Sequence, residues 1–213
     1  MTNRRAQLRA LQKELQQDYL RVSEAYRCVI LINDMETFGF VAPAYTNGMP
    51  YLSLSTIYDC LWYSATIRLA EALNVSKVNG IDLPSPRFLE CLQKIPNKTQ
   101  GQQQKALNFA LFMSQMHAQA IAVKSLRDWL SAHLDFSKEE LQIQIRESLT
   151  LSQLSHLCGA LRVTIQGIWS EFDFEGSLKG IDEEFFNQES RRVLGGLSRA
   201  FPIPQEVQQP SFP

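Results

Sequence analysis

Apolar residues recur at helical spacing along almost the whole chain. Leu8, Leu11, Leu15, Val22, Tyr26 and Val29 step by three, four or seven residues, which is one face of a long first helix. Ile57, Leu61, Ala65 and Leu69 predict a second helix over residues 55–73. Phe109, Met113, Met116, Ala120, Val123, Arg127, Leu130 and Leu134 form one stripe on a predicted third helix, 102–134. Leu151, Leu154, Cys158, Leu161, Ile165, Ile168 and Phe172 mark a long fourth. Ser137-Lys-Glu-Glu140 and Thr150-Leu-Ser-Gln153 read as capping boxes that start helices. No period-two alternation bounded by hairpin signals stands out, and no repeat does. The expected architecture is all-α, a bundle of four to five long helices.

The breaks in this pattern divide the chain. Residues 36–50 carry two Gly, two Pro and the aromatics Phe38, Phe40 and Tyr45, so they read as a loop. Such a loop packs on the body or forms a partner surface. Residues 74–100 read as an irregular link, punctuated by Asn79-Gly80 and three prolines, with a short helix over 87–94. A last helix is expected from Asp182 to Leu194, weakened or stopped by Gly195-Gly196. The domain reading is a helical domain over 1–177, a helical extension over 178–201 and a mobile Pro- and Gln-rich tail over 202–213.

The chain's 213 residues suffice for a core without staples. A net charge of −1 excludes a strongly basic nucleic-acid coat, though not a local basic site. Four dispersed cysteines form no C-x-x-C pair, which argues against a zinc ribbon or redox dithiol. The polar N-terminus resembles no secretory leader, and no apolar run reaches ~18 residues, so a cytoplasmic location without membrane contact is expected. There is no Gly-rich phosphate loop, no H-E-x-x-H and no Glu-x-x-His pair. No cofactor and no metal are expected. The acidic clusters 139–140 and 182–184 lie at predicted helix starts, where they complement the dipole. Arg4, Arg5 and Arg9, in the first turn of the first helix, read as a solvated end or a phosphate-attracting patch. His117 and His156 lie among apolar neighbours and read as packed core residues.

The chemistry concentrates in Ser125-Leu-Arg-Asp-Trp-Leu-Ser-Ala-His-Leu-Asp135. Arg127 interrupts an apolar stripe, which is costly unless it finds a partner or reaches water. Five residues separate it from His133, and Asp128 follows it directly. This segment resembles the signature of the HEPN superfamily (higher eukaryotes and prokaryotes nucleotide-binding domains): Arg, a polar follower, then His after four to six residues. The ending Ala132-His133-Leu134-Asp135, and Arg68-Leu69-Ala70-Glu71 on the second helix, resemble the branch linked to type U abortive phage infection. The resemblance spans roughly residues 5–172.

On a regular helix, positions six apart differ by ~240° in angle and ~9 Å in height, so one copy of the motif makes an awkward site. The resemblance implies a homodimer, with two motif helices around a two-fold axis forming a composite cleft. It implies RNA cleavage without a metal, on a tRNA or mRNA, with a 2′,3′-cyclic phosphate product. The implied site residues are Arg127, Asp128 and His133. His133 would serve as general acid or base, Arg127 would stabilise developing phosphorane charge, and Asp128 would orient Arg127 or cap a local break in the helix. An antitoxin or nucleotidyltransferase-type partner would restrain such a toxin. The competing reading is a non-catalytic helical adaptor for a protein, nucleotide or RNA, in which Asp128 merely pairs with Arg127. A third is a helical subunit of a larger complex. Trp129 reads as packing, a dimer contact or a base-stacking platform.

Overall fold

A computed structural model describes residues 2–40, 52–132, 149–174, 178 and 183–200. The described chain is mostly helical: α1 (Thr2–Thr37), α2 (Leu52–Leu73), α3 (Arg87–Lys94), α4 (Gln100–Gln115), α5 (His117–Ala132), α6 (Leu151–Glu171) and α7 (Glu183–Ala200). One hairpin, β1 (Val75–Val78) and β2 (Ile81–Pro84), follows α2.

Helix α1 is the axis of the bundle. Its 36 residues would span ~54 Å. Leu11, Leu15, Val22, Ala25, Val29 and Ile32 are buried along it, following the expected face. α2 and α6 flank it, and both run antiparallel to it. Tyr58 of α2 donates to Glu36, while Arg68 and Glu71 meet Glu24 and Arg21 further back. Gln166 near the end of α6 donates to the Tyr19 hydroxyl, 2.8 Å away. α6 starts at a capping box formed as expected: Thr150 Oγ1 accepts from the Gln153 backbone N–H, and Gln153 Oε1 accepts from the Thr150 backbone N–H. α4 pairs antiparallel with α6, its Gln102 side chain reaching the Glu171 carbonyl. α5 packs on α2 and on the hairpin.

Four expectations need correction. The link 74–100 is more ordered than its punctuation suggests. Asn79 and Gly80 take φ of 52° and 84°, the left-handed pair that a two-residue hairpin turn requires. Asn74, also left-handed, ends α2, and its side chain holds the Ser85 carbonyl, so the hairpin returns to where it began. The short helix over 87–94 is present as expected.

The predicted helix over 102–134 is two helices meeting at Met116. The Ser114 hydroxyl donates to the Leu111 carbonyl just before the break, a side-chain bond that competes with the helical ladder. The expected stripe holds past the break at Ala120 and Val123; beyond them the buried position is Leu126, and Arg127 stands half-exposed beside it. On α2, Leu54, Tyr58 and Trp62 are buried, while Ile57 faces outward. α2 touches α1 on one side and α5 on the other, so its buried face is broad and Ile57 lies at its edge.

Gly195-Gly196 does not stop the last helix, which continues to Ala200. Leu194 joins the core, and the Arg199 side chain bonds the Gly195 carbonyl across the weak point. The expected capping box at Ser137–Glu140 and the tail over 202–213 lie outside the described residues.

Candidate functional site

Of the three residues singled out by sequence, Arg127 and Asp128 lie in the last turns of α5; His133 lies outside the described residues. Consecutive helical residues diverge by ~100°, so Arg127 meets Asp128 only by folding its guanidinium sideways along the helix surface. It does so: Nε donates to Asp128 Oδ1 at 2.9 Å, and Nη2 donates to the same oxygen. Among the described residues, no hydrogen bond engages Nη1. Among the described residues, the guanidinium thus has one edge fixed and one edge uncommitted.

The second carboxylate oxygen of Asp128 accepts from Lys124, one turn earlier, at 2.9 Å. Burial of Asp128 opposes its ionisation, but the bonds from Lys124 and Arg127 outweigh that and hold its carboxyl below the usual range. Lys124 in turn lies 3.8 Å from Asp82 on β2. The result is a line of alternating charges, Asp82–Lys124–Asp128–Arg127, running from the hairpin to the end of α5. The Lys124 and Asp82 side chains are only 25% and 31% exposed, so their attraction is less screened than that of a pair in open solvent. Trp129 is half-buried and packs against the core, so packing is the role the structure supports for it.

The other conspicuous residues from the sequence are dispersed. His117 opens α5, half-buried. His156, expected in the core, is exposed: Leu154, Leu157 and Cys158 take the buried face of α6 and turn it outward. It borders a groove of about 700 Å³ between α1 and α6 that sequence reading missed. Asn33, Glu36, Ser152 and Ser155 supply its polar walls, and Tyr26 and Val29 its floor. Behind it the Arg162 guanidinium lies 4.8 Å from the centre of the Tyr26 ring, a cation–π stack. No sequence signal marks this groove, because it joins two helices more than a hundred residues apart. Arg68 and Glu71, part of the second resemblance, form an ion pair at 3.1 Å that Glu24 extends across to α1.

Among the described residues no group of three or more His, Cys, Asp or Glu could hold a metal, and no helix is long and apolar enough to cross a membrane. No family model, curated protein or solved structure matches the chain.

Proposed function

We propose that this chain is an endoribonuclease of the toxin or phage-defence kind that works without a metal and acts in the cytoplasm as a homodimer. The observation that carries the reading is the state of Arg127. A guanidinium with its Nε edge fixed on a carboxylate and its Nη1 edge open, among the described residues, is prepared to take an anionic oxygen by charge-assisted hydrogen bonds.

In the proposed reaction the ribose 2′-oxygen attacks the adjacent phosphorus and the bond to the 5′-oxygen breaks. The 2′-proton passes to a general base, and the leaving 5′-oxygen receives a proton. His133 is the residue proposed for these transfers, since imidazole exchanges protons near neutral pH. Arg127 stabilises the charge that builds on the phosphoryl oxygens. A second copy supplies the opposing Arg127 and His133. RNA is the substrate, and an antitoxin or nucleotidyltransferase-type protein is the proposed restraint.

A second reading is favoured by one feature of the same geometry. The line from Asp82 to Arg127 is electrically balanced, two acids against two bases, as a purely structural network would be. On that reading the chain is a non-catalytic adaptor.

Purified protein incubated with total RNA and labelled tRNA in EDTA separates the two. Ribonuclease action predicts wild-type cleavage with 2′,3′-cyclic phosphate ends, reduced ~10²-fold or more in Arg127→Ala and His133→Ala. Folding and oligomeric mass of all three would be measured in parallel. A folded wild-type dimer that leaves RNA intact moves the assignment to the adaptor.

A further inference from the structure

The line of charges ends on Arg127 but begins on a different element, and that placement has a consequence for the site. An arginine side chain gives up much rotamer freedom when fixed. A partly exposed ion pair returns less than that, so Asp128 alone does not hold Arg127 in one orientation. Asp128 is itself 46% exposed and would swing with its partner. Lys124 prevents this by occupying Oδ2 at 2.9 Å while Arg127 occupies Oδ1. Lys124 is steadied by Asp82, in the centre of β2, where it lies opposite Lys77 in a hairpin closed by Asn79-Gly80. The hairpin is anchored to the end of α2 by Asn74 and by the Ser85 amide on the Leu73 carbonyl. Asp82 thus adds a second element, the hairpin, to charges that otherwise all stand on α5.

We propose that Lys124 and Asp82 are positioning residues for Arg127, which makes the β1–β2 hairpin part of the functional site. Neither residue touches the phosphate; both act through Asp128. The role in cleavage rests on the ribonuclease reading, whereas the holding of Arg127 does not.

The test uses the full chain with Lys124→Met, Lys124→Arg and Asp82→Asn, and reads two signals. The first is the Arg127 Nε–H resonance and its exchange with water, followed by NMR without RNA. The second is kcat and KM for RNA cleavage in EDTA. In Lys124→Met the Nε–H should lose protection, and kcat should fall ~10-fold while KM stays within ~2-fold, because orientation is lost rather than affinity. Lys124→Arg should recover most of both signals. Asp82→Asn should move both in the same direction by ~3-fold.

An unchanged Nε–H in Lys124→Met overturns the proposal whatever the activity. A changed Nε–H with unchanged kcat overturns the positioning role. If the wild type leaves RNA intact, the role in cleavage falls with the ribonuclease reading, and the NMR signal still decides whether these residues hold Arg127.

Discussion

Two lines of alternating charge cross this bundle, and they end differently. The first joins α1 to α2. Arg21 lies 2.8 Å from Asp18 and 3.7 Å from Glu71, and Arg68 lies 2.8 Å from Glu24 and 3.1 Å from Glu71. Both arginines stand between two carboxylates. The second line joins the hairpin to α5, and there Lys124 takes the interior place while Arg127, among the described residues, is terminal, on a single carboxylate. An interior arginine spends its donors on the fold and clamps two helices. A terminal one keeps a donor edge for something else. What separates the two is position in the line, not exposure: the Arg68 side chain is 46% exposed and that of Arg127 only 31%.

The sharpest test of this contrast lies at adjacent positions on α5. Leu126 is fully buried, and Arg127 is beside the seam rather than in it. Leu126→Ala should cost ~2–5 kcal/mol, the lost transfer energy plus the cavity it leaves. Arg127→Ala should cost less than ~1 kcal/mol, as expected for a partly exposed pair. Urea unfolding at neutral pH measures both. A large loss at Arg127 with a small one at Leu126 would put the guanidinium back in the seam and remove the case for an available edge.

The confusion between these two positions shows what the sequence could and could not carry. Apolar spacing located α1 and α6 well, because each has one continuous buried stripe and, for α6, a capping box that starts it. The stripe through Phe109, Met113 and Ala120 was also real. It held past the break at Met116, through Ala120 and Val123, and went astray only at the next step, where Leu126 rather than Arg127 is buried. The Asn79-Gly80 turn was visible as punctuation, yet its short strands offered too little alternation to be read as a hairpin. Arg127 and Asp128 were legible as a motif on one helix. Lys124 was not, since its significance depends on Asp82, more than forty residues earlier. Long-range pairs of this kind, like the groove between α1 and α6, leave no local pattern.

The first line also has an end, and it is buried. Asp18 is 1% exposed, and among the described residues its Oδ2 has no hydrogen-bond partner, although Arg21 holds Oδ1. Burial pushes its carboxyl up to about 6 against the pull of Arg21. The folded chain thus holds this proton more tightly than the unfolded chain, whose value is near 3.8. The stability gained from it is full below that unfolded value and is lost as pH rises through about 6. Asp18→Asn keeps an acceptor for Arg21 and removes the buried charge. It should stabilise the chain at pH 7.5 by on the order of 2 kcal/mol, with the gain shrinking toward zero near pH 4. A gain that is flat across that range would mean that water reaches the carboxylate.

The smallest effect is the most direct check on the rule about position. Arg68 is more exposed than Arg127, so exposure alone would give it equal standing. Its place between Glu24 and Glu71 says otherwise. Arg68→Ala should lower stability by only ~0.2–1 kcal/mol, because gains from solvent-exposed pairs are offset by side-chain ordering. The loss should shrink further in ~1 M salt, where screening acts over ~3 Å. RNA cleavage by this variant should equal that of wild type. If Arg68→Ala removed cleavage as completely as Arg127→Ala while remaining folded, an interior arginine would be serving the site. Position in a line of charges would then no longer distinguish the structural guanidinium from the available one.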